Sequence, residues 1–151
     1  MSHLSLTGVK ENDLPKSQIE AIIFKPIVPV SYLLLRRISS EGGYWQPVTG
    51  AVENDENISE GLLRELKEET GYTPGDIQAI ISIDYRFNFT DSDGVCRTEF
   101  PFGIMLSDAS PEPVISREHD AYQWVGYIAA MDQLRWEDNK HALTLLNREL
   151  T

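Results

Sequence analysis

Glu65, Glu68 and Glu69 crowd together in the run "RELKEETG" of a chain that is already acidic, with a formal net charge of −11. On a helix the three fall along one arc, beside an apolar stripe of Ile58, Leu62, Leu63 and Leu66. Glu65 and Glu69 are a like-charged i, i+4 pair, which costs a helix about a few tenths of a kcal/mol. Both also sit in the C-terminal half of the segment, where the helix dipole disfavours negative charge. Local stability therefore does not account for the arrangement. A hard divalent cation does, because Mg²⁺ takes oxygen ligands and keeps positions open for water and phosphate. Arg64 precedes the group and can orient one carboxylate through charge-assisted hydrogen bonds. Gly61 lies on the same arc; a mid-helix Gly costs about 1 kcal/mol relative to Ala, and here it is expected to leave room for a metal or phosphate. The competing reading is an ordinary solvated acidic face.

The elements that must hold these residues are legible around them. "ISEGLLRELKEET" reads as a helix, with Asn57 and Glu60 forming a capping box and Gly71 at C′. "QIEAIIF" and "IVPVSYLLLRR" read as strands, and "WQPVTGAVE" as a short extended segment leading to the polar loop "NDEN". "IQAIISIDYRF" and "CRTEFPFGIML" read as strands about a turn at "TDSDG", and "AYQWVGY" as a last strand. "IAAMDQL" and "NKHALTLLNREL" read as helices. The pattern implies an α/β (α+β) domain with a sheet between helices.

With 151 residues, no repeat and no long linker, a single domain over residues 1–151 is expected, residues 1–15 forming a loose lead-in. Thirteen basic against 24 acidic residues disfavour nucleic-acid backbones and anionic membranes as partners. An anionic small substrate remains compatible, since a bound divalent ion reverses the local field. Cys96 is the single cysteine, so no internal disulfide forms, and it reads as a small strand residue. The start has no apolar signal region and "IVPVSYLLL" is too short to span a bilayer, so a cytoplasmic location is expected. His3, His119 and His141 sit in unrelated contexts, and no Ser/His/Asp triad competes with the carboxylates.

Gly50, Glu56, Arg64, Glu65, Leu66, Glu68, Glu69, Gly71 and Tyr72 match the pattern G-x5-E-x7-R-E-U-x-E-E-x-G-U at every position. By this match the chain resembles the Nudix hydrolases of the MutT type. The resemblance implies an α/β/α sandwich with a central mixed sheet. It implies a loop–helix–loop that holds Mg²⁺ or Mn²⁺, and cleavage of a nucleoside diphosphate linked to another group. Dimers are common in that family, so a homodimer is compatible with the resemblance. Carried over by position, Glu65 and Glu69 are the principal metal ligands, Glu68 assists, and Arg64 orients Glu65. Glu56 is an outer ligand or a structural partner, and the Thr49 carbonyl completes the metal shell.

Two further stretches, "LLLRRISSEGGYWQPVTGAVE" and "REHDAYQWVGYIAA…RWEDNK", resemble dihydroneopterin triphosphate pyrophosphohydrolases, which also act on dATP. That resemblance assigns Glu118 as a further metal ligand and Arg36 and Thr49 as substrate contacts. It leaves His119 as a structural hydrogen-bonder and Trp45 and Trp124 as core or cleft wall. The chain departs from the subgroup at Arg135, where a small hydroxyl residue precedes the Trp. The expected activity is hydrolysis of a (deoxy)nucleoside or pterin triphosphate to the monophosphate and pyrophosphate. Diadenosine tetraphosphate hydrolysis is the alternative. A nucleotide sensor without turnover is the third reading; such modules typically lose box glutamates, which this chain keeps.

Overall fold

Strand β1 (Lys16–Lys25) carries large apolar residues at odd and even positions alike, because both of its faces are covered. Ile19, Ala21 and Ile23 enter one core; Ile22 and Phe24 enter another. A computed structural model describes residues 15–151, so His3 and nearly all of the expected lead-in lie outside the described residues. Along one edge β1 pairs antiparallel with β2 (Ser31–Arg37) and β4 (Val48–Ala51). Along the other it runs parallel to β7 (Cys96–Leu106), from Lys16↔Arg97 to Phe24↔Met105. β3 (Trp45–Gln46) and β8 (His119–Val125) both pair with β2, and β5 (Ile77–Ser82) and β6 (Phe87–Thr90) both pair with β7. The result is a mixed eight-stranded sheet.

Helix α1 (Ile58–Thr70) covers the first face, with Leu62 and Leu66 buried in the core there. Burial of such a leucine stabilises by about 1.5–3 kcal/mol. Helices α2 (Tyr127–Gln133) and α3 (Glu137–Leu150) cover the second face through Ala130, Ala142, Leu143 and Leu146. The expected α/β/α arrangement is what the chain adopts. No helix among the described residues is long and apolar enough to cross a membrane.

The ends of α1 follow from its sequence. Asn57 Oδ1 accepts from Glu60 N at 2.8 Å, and Glu60 Oε1 accepts from Asn57 N at 3.0 Å. Gly71 closes the helix at φ 77°, a left-handed conformation that glycine adopts without penalty. Other boundaries differ from the sequence reading. β2 starts at Ser31 rather than Ile27, since Pro29 has no N–H to give a ladder and Val28 is fully exposed. Pro47 divides the expected extended segment into β3 and β4. "IQAIISIDYRF" is not one strand: β5 ends at Ser82 and β6 begins only at Phe87, because the chain bends at Asp84, where Tyr85 N bonds to Ile83 O at 2.7 Å.

A buried acidic pair lies on the α3 side of the sheet. Glu20 is 0% and Glu99 3% exposed. Gln18 Nε2 donates to Glu99 Oε1 at 2.5 Å, while neither Glu20 oxygen has a hydrogen-bond partner among the described residues. Burial above all, then the charge of Glu99, holds Glu20 well above the usual carboxylate range. A raised carboxyl pKa contributes stability that is complete below the unfolded value of about 4.5 and is lost as pH rises through the folded one. Glu20→Gln, which carries no charge to desolvate, is therefore expected to match the parent Tm at pH 4 and exceed it at pH 8. Equal slopes of Tm against pH would show that Glu20 is not the cause.

Candidate active site

Arg64 is the hub of one half of the site. Its Nε donates to Glu56 Oε2 at 2.6 Å and its Nη2 to Glu56 Oε1 at 3.0 Å, a two-pronged pair. Nη1 donates to Glu65 Oε1 at 2.9 Å and Glu68 Oε2 at 3.1 Å, and Nη2 also to the Ala51 carbonyl at 2.8 Å. The guanidinium thus ties α1 to the end of β4 and to the loop between them. Its hydrogen bond holds the Glu56 carboxyl below its ordinary pKa.

Glu65 lies against Gly50. A Cβ at position 50 would stand 2.0 Å from Glu65 Cδ, so the absence of a side chain there admits the carboxyl. Thr49 adjoins that glycine, so its backbone is next to the Glu65 carboxyl; its side chain shares the opposite sheet face with Glu20, its register partner. Burial pushes Glu65 up to about 7, against the pull of Arg64. Gly61 has a different role from the one its sequence position implied. Val52 fills the space beside it, with Cγ2 3.0 Å and Glu56 Oε1 3.4 Å from where a Cβ would lie. It admits the loop, and leaves no room for an ion or phosphate.

Glu69 forms the other half and is 5% exposed. Its Oε2 accepts from Ser116 Oγ at 3.0 Å and lies 3.0 Å from His119 Nδ1, short but without hydrogen-bond alignment. Burial works against the charge of Glu69, but His119 and Ser116 outweigh it and hold the carboxyl below its ordinary value. Glu118, two residues after Ser116, is raised by burial and then by the charge of Glu69. Arg37 stands beside it, with Nη1 3.6 Å from Glu118 Oε2 and Nη2 3.5 Å from Glu41 Oε2.

The fold brings Glu65, Glu68 and Glu69 to one region with Glu56, Arg64 and Glu118. It does not bring Arg36 there. Arg36 pairs with Asp120 at 2.8 Å and lies 5.6 Å from the Trp45 ring, on the α2–α3 face. The strand's alternation puts Leu33, Leu35 and then Arg37 on the α1 face. Arg37, Ser116 and Gln46 were not singled out from the sequence; the alternation along β2 was the available signal for Arg37.

Among the described residues, no three His, Cys, Asp or Glu side chains stand arranged as an ion cage. Glu65 and Glu68 turn to Arg64, and Glu69 turns to Ser116. The donor set nevertheless fits a hard cation. It is all carboxylate, and the charges of Glu68 and Glu69 raise Glu65 as that of Glu69 raises Glu118. A divalent cation removes that repulsion.

The NUDIX domain family model matches residues 21–146. The chain belongs to the Nudix hydrolase family. It is an enzyme of the class acting on phosphoric anhydride bonds, and the family generally uses divalent metal ions. Among relatives, the asymmetrical bis(5'-nucleosyl)-tetraphosphatase of Sus scrofa is 30% identical over 115 residues, 76% of each chain. A Myxococcus xanthus octanoyltransferase is 32% identical over 109 residues, 70% of this chain but only 29% of that protein. A Nudix hydrolase structure from Listeria monocytogenes superposes with a TM-score of 0.77 at 30% identity, covering 88% of this chain and 92% of that one. The Escherichia coli dihydroneopterin triphosphate pyrophosphohydrolase superposes with a TM-score of 0.73 at 24% identity, over 89% and 99%. That last likeness is one of fold.

Proposed function

We propose that this Nudix hydrolase is a Mg²⁺- or Mn²⁺-dependent pyrophosphohydrolase. Its substrate would be a (deoxy)nucleoside or pterin triphosphate, cleaved to the monophosphate and pyrophosphate. The observation that carries the reading is the gathering of Glu65, Glu68, Glu69 and Glu118 on the α1 face, with Arg64 and Arg37 beside them. These four carboxylates would hold the ion, with Thr49 supplying a carbonyl. A divalent ion held there would neutralise charge on the polyphosphate and would lower the pKa of a water bound to it. Glu65, steadied by Arg64 and seated on Gly50, takes a proton from the attacking water or orients it. Arg37 offers a guanidinium to the phosphate chain, its Nε carrying no partner among the described residues. The assignment of Arg36 as the phosphate contact is weakened by its place on the other face.

A second reading is hydrolysis of a dinucleoside tetraphosphate. The Sus scrofa tetraphosphatase favours it, matching 76% of both chains. Against it, enzymes of that kind usually carry a lysine between the Trp and the box Gly, and "WQPVTG" has none.

The test is a substrate panel with Mg²⁺ and chromatographic analysis of products. It includes dATP and the other dNTPs, dihydroneopterin triphosphate, diadenosine tetraphosphate and ADP-ribose. Monophosphate plus pyrophosphate from a triphosphate is the expected result. ATP plus AMP from the dinucleotide, with triphosphates untouched, selects the second reading. Tight binding with no turnover would make the protein a sensor. Millimolar Mg²⁺ is also expected to raise Tm by several degrees, by mass action on the folded state; no shift would argue against a formed metal site.

A further inference from the structure

Glu69 is the box carboxylate that Arg64 does not hold. Its partners come from elsewhere in the chain. Ser116 lies on the connection from β7 to β8, and that connection is pinned to α1, where Val114 N donates to the Thr70 carbonyl at 2.9 Å. Ser116 Oγ accepts from Glu118 N at 3.3 Å and donates to Glu69 Oε2 at 3.0 Å. His119 opens β8 opposite Arg37 of β2, and its ring is buried. Gln46 lies on β3 opposite Leu35 of β2, 6% exposed, with Nε2 3.2 Å from His119 Nε2.

The direction of this chain follows from donor and acceptor counting. An amide nitrogen donates, so the His119 Nε2 it meets carries a lone pair. The ring proton of a neutral His119 is then on Nδ1, the atom 3.0 Å from Glu69 Oε2. Reversing the Gln46 amide would put the proton on Nε2 and turn a lone pair toward a carboxylate. The negative charge of Glu69 therefore selects the first arrangement. Ser116 and His119 converge on the same oxygen, Oε2, which leaves Oε1 outside the cluster.

We propose that Gln46, His119 and Ser116 form a buried bracket that fixes Glu69 Oε2 and thereby presents Glu69 Oε1 to the divalent ion. The inference rests on the metal role given to Glu69 above. All three are positioning residues. Gln46 acts through His119 alone, setting which ring nitrogen bears the proton. Two are held by strands flanking β2 and the third by a loop tied to α1, so the bracket couples the helix position to the sheet.

The test measures Mn²⁺ affinity directly, by electron paramagnetic resonance titration of the metal-free protein, together with Tm in EDTA. His119→Phe keeps an aromatic ring in the buried space and removes both nitrogens. It is expected to weaken Mn²⁺ binding about 10–100-fold, the usual effect of losing a residue that orients a metal ligand. His119→Asn places an amide N–H near the position of Nδ1 and is expected to recover most of that loss. Ser116→Ala, a smaller change, is expected to weaken Mn²⁺ several-fold with little change in Tm. Gln46→Leu is expected to weaken it without touching Glu69. A fall in Tm with Mn²⁺ affinity unchanged in both His119→Phe and Ser116→Ala would overturn the bracket, as would equal affinities for His119→Phe and His119→Asn. Glu69→Gln separates the two claims. If it abolishes Mn²⁺ binding while the bracket variants bind normally, only the bracket fails. If it binds Mn²⁺ like the parent, the metal reading fails and the bracket with it.

Discussion

Glu69→Gln and Glu65→Gln are each expected to lower kcat/KM about 10²–10⁴-fold at saturating Mg²⁺, the span associated with loss of a catalytic or charge-stabilising group. Both changes conserve shape, so the cores remain packed. The two variants are not equivalent. Glu69 is nearly buried, and Ser116 and His119 approach its Oε2. Its glutamine variant keeps a carbonyl oxygen able to accept from either, so its loss is one of charge at the metal. Glu65 faces Arg64 at 2.9 Å and is raised to about 7 chiefly by burial. Its glutamine variant removes a buried carboxylate and is expected to melt no lower than the parent in EDTA at pH 8. Steady-state kinetics across Mg²⁺ concentrations, with Tm in EDTA, make the comparison. A defect that excess Mg²⁺ cures would assign the residue to metal affinity alone. Near-normal rates in either variant would remove that residue from its role.

What the sequence discloses here depends on how local the determinant is. The ends of α1 are set by residues three or four positions apart, Asn57 with Glu60 and Gly71 with Lys67, and both were legible. β7 was legible because Phe100, Phe102 and Ile104 to Leu106 give its second half a dense run of large apolar residues, although Arg97, Thr98 and Glu99 precede it. The interruption between β5 and β6 was not, since apolar content continues through Ile83 and Tyr85 while the backbone turns. Around the carboxylates the same division holds. Arg64 and its acidic partners lie within a dozen residues and could be grouped from the chain alone. The partners of Glu69 are 47 residues away at Ser116, and His119 depends on Gln46 at a separation of 73. No periodicity connects such positions; only the order of strands around β2 does. Arg36 and Arg37 are adjacent in sequence, and the pleat of β2 sends them to opposite sides of the sheet; the irregularity at that point lies in β8, where Asp120 is the extra residue between Ala121 and His119.

Gly50→Ala is expected to be nearly as damaging to hydrolysis as loss of Glu65 itself, although it removes no functional group. The added Cβ would lie 2.0 Å from Glu65 Cδ and 2.4 Å from Cγ and Oε2, separations no pair of carbon or oxygen atoms tolerates. Something must move. β4 is held to β1 through the register Ile19↔Gly50 and Ala21↔Val48, with Val48 and Ile19 in the core beneath α1. The strand is therefore less free to shift than the side chain. Glu65 would swing away, lose its place at the Thr49–Gly50 backbone and drag on Arg64, whose Nη2 holds the Ala51 carbonyl at 2.8 Å. Overpacking of this kind typically costs about 1–3 kcal/mol, a fall in Tm of roughly 2–12 °C for a domain of this size class. The informative comparison is with Gly61→Ala, where the nearest atoms are Val52 Cγ2 at 3.0 Å and Cγ1 at 3.3 Å. Those methyls can yield by a few tenths of an ångström, and alanine favours the helix by about 1 kcal/mol. Gly61→Ala is thus expected to keep most activity, while Gly50→Ala loses about 10²-fold or more in kcat, as a misplacement of about 1 Å at a catalytic group implies. Equal activities in the two variants would mean that Glu65 does not work from the position it takes beside Gly50. Loss in both with a common fall in Tm would place the effect in the packing of the loop onto α1.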